Sequence, residues 1–156
     1  MAVLTLRISK YQPTQREKIV AAVAAKLSAL MVRLQQYIVR EKLSGQVLNV
    51  RSGRLVESVQ PVPATIAGPL VKAGVLAGGD AAFYAPYHEF GGKSGYEILP
   101  VRAKALVFEW MGQMNIRSRV FRGPLPARPY MAPSLAEFTP QIVQGLEEAI
   151  DEVVNA

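Results

Sequence analysis

The stretch PTQREKIVAAVAAKLSALMVRLQQYIVREKLSG, residues 13–45, decides the fold. Its apolar residues fall at Ile19, Val20, Val23, Leu27, Leu30, Met31, Leu34, Tyr37, Ile38 and Leu43. Steps of three and four place them on one face of a helix. Lys18, Lys26, Arg33, Arg40 and Lys42 fall largely elsewhere. Thr14, with Glu17 three residues on, reads as a capping box. Ser44-Gly45 reads as a stop, because Gly45 can take the left-handed cap. About 30 helical residues span ~45 Å, against a diameter near 40 Å for a compact domain of this size. The helix therefore spans its own domain, and an overhanging end would pack on a neighbour.

Upstream, Leu4, Leu6 and Ile8 alternate with polar residues, which predicts a strand over residues 2–9. Downstream, residues 51–59 read as a short helix reached through Ser52-Gly53. Prolines at 61, 63 and 69 and glycines at 68, 74, 78 and 79 punctuate residues 60–82. Pro61 and Pro63 admit an edge strand at most, and residues 70–75 read as a strand. Residues 81–90 predict a short helix or turn. Residues 96–99, 105–110 and 116–121 are strand candidates. Thr139-Pro140 predicts the start of a last amphipathic helix carrying Ile142, Val143, Leu146, Ile150, Val153 and Val154. Helices and strands are segregated, so the expected class is α+β. A long N-terminal helix and a C-terminal helix would pack on a mainly antiparallel sheet, in a single domain covering residues 1–156.

Half of the residues are apolar and only 19% are charged, below the roughly 25% usual in soluble domains. Such a chain has little charge with which to cover itself, and surface buried against partners is one outcome. There is no cysteine, hence no disulfide, thiolate ligand or cysteine nucleophile. Arg7 interrupts the first apolar run too early for a signal-peptide core. No apolar stretch reaches the ~18 residues expected of a membrane span, so no membrane partner is expected.

The net charge of +6 is uneven: residues 1–60 carry +7, residues 61–130 carry +4 and residues 131–156 carry −5. A basic body with an acidic tail helix favours head-to-tail contact between copies. On that ground Arg117, Arg119 and Arg122 in the strand region, and Glu147, Glu148 and Asp151 on the last helix, are candidate subunit-interface residues. A nucleic-acid surface is the competing reading. Arg102, Lys104, Arg117, Arg119 and Arg122 lie near Tyr96 and Phe121, and Arg117 and Arg119 would share a strand face. Glu97 and Glu109 dilute that patch.

Catalytic signatures fail by count. His88 is the one histidine, so His88-Glu89 cannot complete a two-histidine zinc helix. Gly92-Lys93-Ser94 has Tyr87 where a phosphate-binding loop needs its first glycine. No Gly-x-Ser-x-Gly elbow is present. Glu89 and Glu97 could in principle form an acid–base pair, but nothing specific supports it. His88 reads instead as a polar turn residue held by Glu89 or by a backbone group. No enzyme activity, catalytic residue, metal or cofactor is expected.

Three ordered segments carry a family resemblance. The first is Tyr84-Ala85-Pro86-Tyr87-His88-Glu89-Phe90-Gly91-Gly92. The second runs from Ile98 to Phe108 through Pro100, Lys104, Ala105 and Leu106. The third is Ala127-Arg128-Pro129-Tyr130-Met131-Ala132-Pro133-Ser134-Leu135. With Arg51-Ser52-Gly53-Arg54-Leu55 upstream, this order resembles the tail-completion, or neck, family of long-tailed bacteriophages. That family takes in minor tail proteins of the lambda Z type, and the virion-morphogenesis proteins of Mu-like phages are related to it. Tyr84, Ala85, Glu89 and Gly91 match its first segment. Pro100, Lys104, Ala105, Leu106 and Phe108 match the second, and Ala127, Arg128, Pro129 and Pro133 the third. Tyr130 stands where the usual residue is Phe, and Gly92 where many members have Thr.

The resemblance implies a structural virion protein that acts in tail completion and head–tail joining. It implies a homo-oligomeric ring, a hexamer being the first size to test, assembled in the host cytoplasm and located in the virion tail or neck. Partners would be other neck and tail proteins (head-closure, tail-terminator or tail-tube), with weak contact to passing DNA. The third segment would open the C-terminal helix. In themselves the motif residues read as fold-fixing. Gly91-Gly92 permits a positive-φ turn, Tyr84, Tyr87 and Phe90 form an aromatic stripe, Pro129 and Pro133 orient the last helix, and Arg128 would pair with Glu89.

Overall fold

The structure is a computed structural model that describes residues 2–7, 13–92 and 94–155. Ile8 and Ser9 of the expected first strand, and Lys93, lie outside the described residues, as does the Thr14 side chain of the expected capping box.

The chain forms β1 (Ala2–Arg7), α1 (Pro13–Tyr37) with a π-wound continuation (Ile38–Gln46), and α2 (Arg54–Glu57). Then come β2 (Gln60–Ala67), β3 (Leu70–Leu76), a 3-10 turn (Asp80–Ala82) and α3 (Ala85–Phe90). β4 (Tyr96–Ile98), β5 (Leu106–Trp110), β6 (Gln113–Arg117), β7 (Val120–Arg122) and α4 (Met131–Val154) complete it. The fold is α+β, and every strand pair is antiparallel.

Among the described residues the strands make three separate sheets rather than one. β3 is the centre of the largest, between β1 and β2. Its alternate residues Val71, Ala73 and Val75 are buried, as period two demands of a strand with one covered face. β2 occupies the edge that its prolines require. Its register shifts between Val62 and Thr65, and the Ala64 N–H, freed from the ladder, donates to Ser28 Oγ on α1 at 2.9 Å.

α1 lies across β2 and β3 and also along α4. Ile19, Val23, Leu27, Leu30, Met31, Leu34 and Ile38 are each no more than 2% exposed, so the expected helix face is the core face. Residues 15–46 are apolar and long enough to pass as a membrane span by length and mean hydropathy, contrary to the sequence expectation. That apolarity is already taken up by the sheet and α4. Gly45 takes φ +124° at the expected stop. The π-wound stretch before it changes the helix phase. Lys42, expected on the polar side, is therefore buried, and its ammonium reaches Glu137 of α4 at 2.8 Å.

α4 begins at Met131, eight residues before the expected Thr139-Pro140 start. Pro133 falls in its first turn, where a backbone N–H has no helical partner. Pro140 lies inside the helix. An internal proline costs about 3 kcal/mol; burial of Met131, Phe138 and Ile142 on both sides of it holds the helix together. Gly145 marks the closest helix approach, since a Cβ there would come within 3.1 Å of Lys26 and 3.2 Å of Leu30.

Candidate assembly surface

The first and third motif segments meet in a clasp. Glu89, on α3, accepts hydrogen bonds from the free N–H groups at the start of α4. Oε2 takes Tyr130 N at 2.8 Å and Met131 N at 2.9 Å, and Oε1 takes Ala132 N at 2.9 Å. A carboxylate at a helix N-terminus is favoured both by these bonds and by the helix dipole. The expected Arg128–Glu89 pair is therefore corrected, because both Glu89 oxygens serve the helix. Arg128 instead donates its backbone N–H to the His88 carbonyl at 2.7 Å.

Gly91 sits at φ +75°, and a Cβ on it would lie 2.8 Å from the Leu125 carbonyl oxygen. Only glycine fits there. Gly92 N donates to that same Leu125 oxygen at 2.9 Å. Ala85 and Tyr130 are buried beside the clasp. Burial, then the Glu89 carboxylate, then Tyr84 push the Tyr130 phenol up to about 12. His88 is held edge-on to Tyr84, with ring centroids 5.6 Å apart, rather than by the Glu89 side chain. Burial, and secondarily the Arg128 charge, lower its pKa. The expected aromatic stripe is only partly structural: Tyr87 and Phe90 are 54% and 77% exposed.

The second motif segment behaves differently. Pro100, Lys104 and Ala105 lie in the loop leading to β5, and Lys104 is exposed. Leu106 and Phe108 are half-buried in β5. β5 and β6 form a two-stranded hairpin whose contacts are overwhelmingly with itself. Its turn is Met111-Gly112, with φ of +53° and +76°, the paired positive values of a tight type I′ turn. One hairpin face presents Val107 opposite Ile116 and Glu109 opposite Met114. Val107, Ile116 and Met114 are 60–68% exposed.

Trp110 and Met111 at the tip are also exposed. Among the described residues, twelve of the eighteen exposed large apolar side chains lie between Phe83 and Phe121, one quarter of the chain. Uncovered apolar area of this kind marks an interaction surface.

The candidate interface charges are dispersed. Arg117 ends β6, opposite Leu106. The chain bends at Ser118 and Arg119 lies outside any strand, so Arg117 and Arg119 do not share one strand face as expected. Arg119 pairs with Glu97 of β4 at 3.4 Å. Arg122 lies on β7 opposite Tyr96. Glu148 is taken within the chain by Lys26 at 3.1 Å, which lowers its pKa. Glu147 and Asp151 are exposed and make no ion pair among the described residues. Sequence reading missed Val107, Trp110, Met111, Met114 and Ile116 as surface. Gly112 between two strand-like runs was the available signal for the hairpin.

No protein-family model, curated protein or solved structure matches the chain.

Proposed function

We propose that this chain is a structural virion protein of a tailed bacteriophage. It completes the tail and joins it to the head at the neck, as one member of an oligomeric ring, and it works by docking rather than by catalysis. The observation that carries the reading is the bare apolar face of the β5–β6 hairpin, Val107, Met114 and Ile116, with Trp110 at its tip. A two-stranded hairpin alone in water is marginally stable, and cover from a neighbouring copy or another neck protein would stabilise it. The clasp supports the family resemblance independently, since it gives Glu89, Gly91 and the Ala127–Pro133 segment one joint physical task.

Electron microscopy of particles made without this chain tests the proposal. Unjoined heads and tails, or tails with abnormal ends, are expected; normal infectious particles overturn it. The competing reading, a basic nucleic-acid-binding module, predicts DNA retention that falls steeply with salt. It is second because Arg119 is engaged by Glu97 and because its partners Arg117 and Arg122 lie on different ribbons.

A further inference from the structure

A cleft of about 510 Å³ opens between the end of the π-wound stretch, α2, α3 and the segment before α4. Arg51, Arg122 and Arg128 line it together with His88, and no carboxylate does. All three arginines are exposed, and none makes an ion pair among the described residues. Between them Leu43, Leu48, Leu55, Val56 and Leu125 line the cleft together with Asn49, Ser52 and Tyr84. A phosphate backbone asks for charge and leaves the five aliphatic residues without a partner. An arginine rim over a lining that mixes aliphatic and polar side chains suits a helix face that mixes carboxylates with aliphatic side chains.

The chain carries one such face. Val143, Glu147, Asp151 and Val154 recur at steps of four, four and three along α4, and all are exposed. They form one stripe at its C-terminal half. The last turn holds no basic residue, so its carboxylates add to the negative end of the helix dipole. One end of the molecule thus has uncompensated negative charge and the other has uncompensated positive charge. The cleft adjoins the start of α4, and 24 helical residues put the far end about 36 Å away. A chain cannot fill its own cleft with its own stripe.

We propose that the Arg51–Arg122–Arg128 cleft receives the Val143–Glu147–Asp151–Val154 stripe of a second copy, forming a head-to-tail contact. This rests on the oligomeric part of the function proposed above and assigns its direction. Two different surfaces meeting in this way close into rings or run on as filaments.

Sedimentation velocity on three full-length proteins tests it: Arg51→Glu with Arg122→Glu, Glu147→Lys with Asp151→Lys, and all four changes together. Circular dichroism and urea midpoints confirm that each is folded. Each double variant alone is expected to lose at least tenfold in self-association. Their equimolar mixture offers every cleft a stripe of opposite charge, wild-type against wild-type and Glu against Lys, so the mixture and the quadruple variant should both recover larger assemblies. Wild-type-sized assemblies from both double variants would overturn the cleft contact while leaving the ring intact. A wild type that stays monomeric at all concentrations would overturn the contact and the ring together. Loss of DNA retention in the cleft variant with assembly unchanged would give the cleft to phosphate instead, and would also overturn it.

Discussion

The helix–sheet body and the β5–β6 hairpin solve the same problem in opposite ways. Both are built from amphipathic elements of regular period. In the body, the inner face of α1 is closed off by β2, β3 and α4, and Leu27 and Leu34 are fully buried. In the hairpin, Val107, Met114 and Ile116 share one face with Glu109 and are 60–68% exposed. The body closes its own apolar face, whereas the hairpin has apolar surface that no other described residue covers. Stability and assembly should therefore be separable by mutation.

The largest effect is expected in the body. Leu27→Ala or Leu34→Ala should lower unfolding free energy by about 2–5 kcal/mol in urea denaturation, from lost transfer energy and the cavity left behind. Met114→Ala in the hairpin should change the same measurement by less than about 0.5 kcal/mol. Comparable losses at the two places would erase the distinction between them.

The clasp lies between these extremes. Glu89→Ala leaves the N–H groups of residues 130–132 without their carboxylate and should cost about 1–3 kcal/mol. Glu89→Gln should recover part of that loss. If Glu89→Ala unfolds no more readily than wild type, the cap contributes nothing.

A smaller effect comes from Tyr130. Its folded pKa is pushed up to about 12, above the ordinary value near 10. The stability it contributes is therefore fully present below pH ~10 and is lost as pH rises toward 12. Urea midpoints should fall across that window, and Tyr130→Phe should flatten part of the fall. An unchanged slope in Tyr130→Phe would mean the phenol is not shielded.

What could be read in the sequence was whatever depends on local period. The α1 face, the Gly45 stop and the alternation in β3 each follow from neighbours within a few residues. The start of α4 could not be placed by such signals. Thr139-Pro140 looks like a helix beginning, and only the distant Glu89 carboxylate and the packing of Phe138 extend the helix back to Met131. Lys42 turned inward because the helix winding changed beneath it and Glu137 stood opposite. The same limit applied to the candidate site. Arg117 and Arg119 alternate in sequence, but a bend at Ser118 leaves Arg117 at the end of β6 and Arg119 outside any strand, and Lys26 pairs with the exposed Glu148. The motif segments were visible as residues; their mutual clasp was not, because it joins positions some 40 residues apart.

Trp110 is the chain's one tryptophan, and it stands 67% exposed at the hairpin tip. Its fluorescence, followed with sedimentation as protein concentration rises, reads hairpin cover directly. The emission should start at the position of a water-exposed indole and shift to shorter wavelength in step with the gain in mass. Assemblies that form while Trp110 emission stays that of a solvated indole would contradict the hairpin's role as the docking surface between copies.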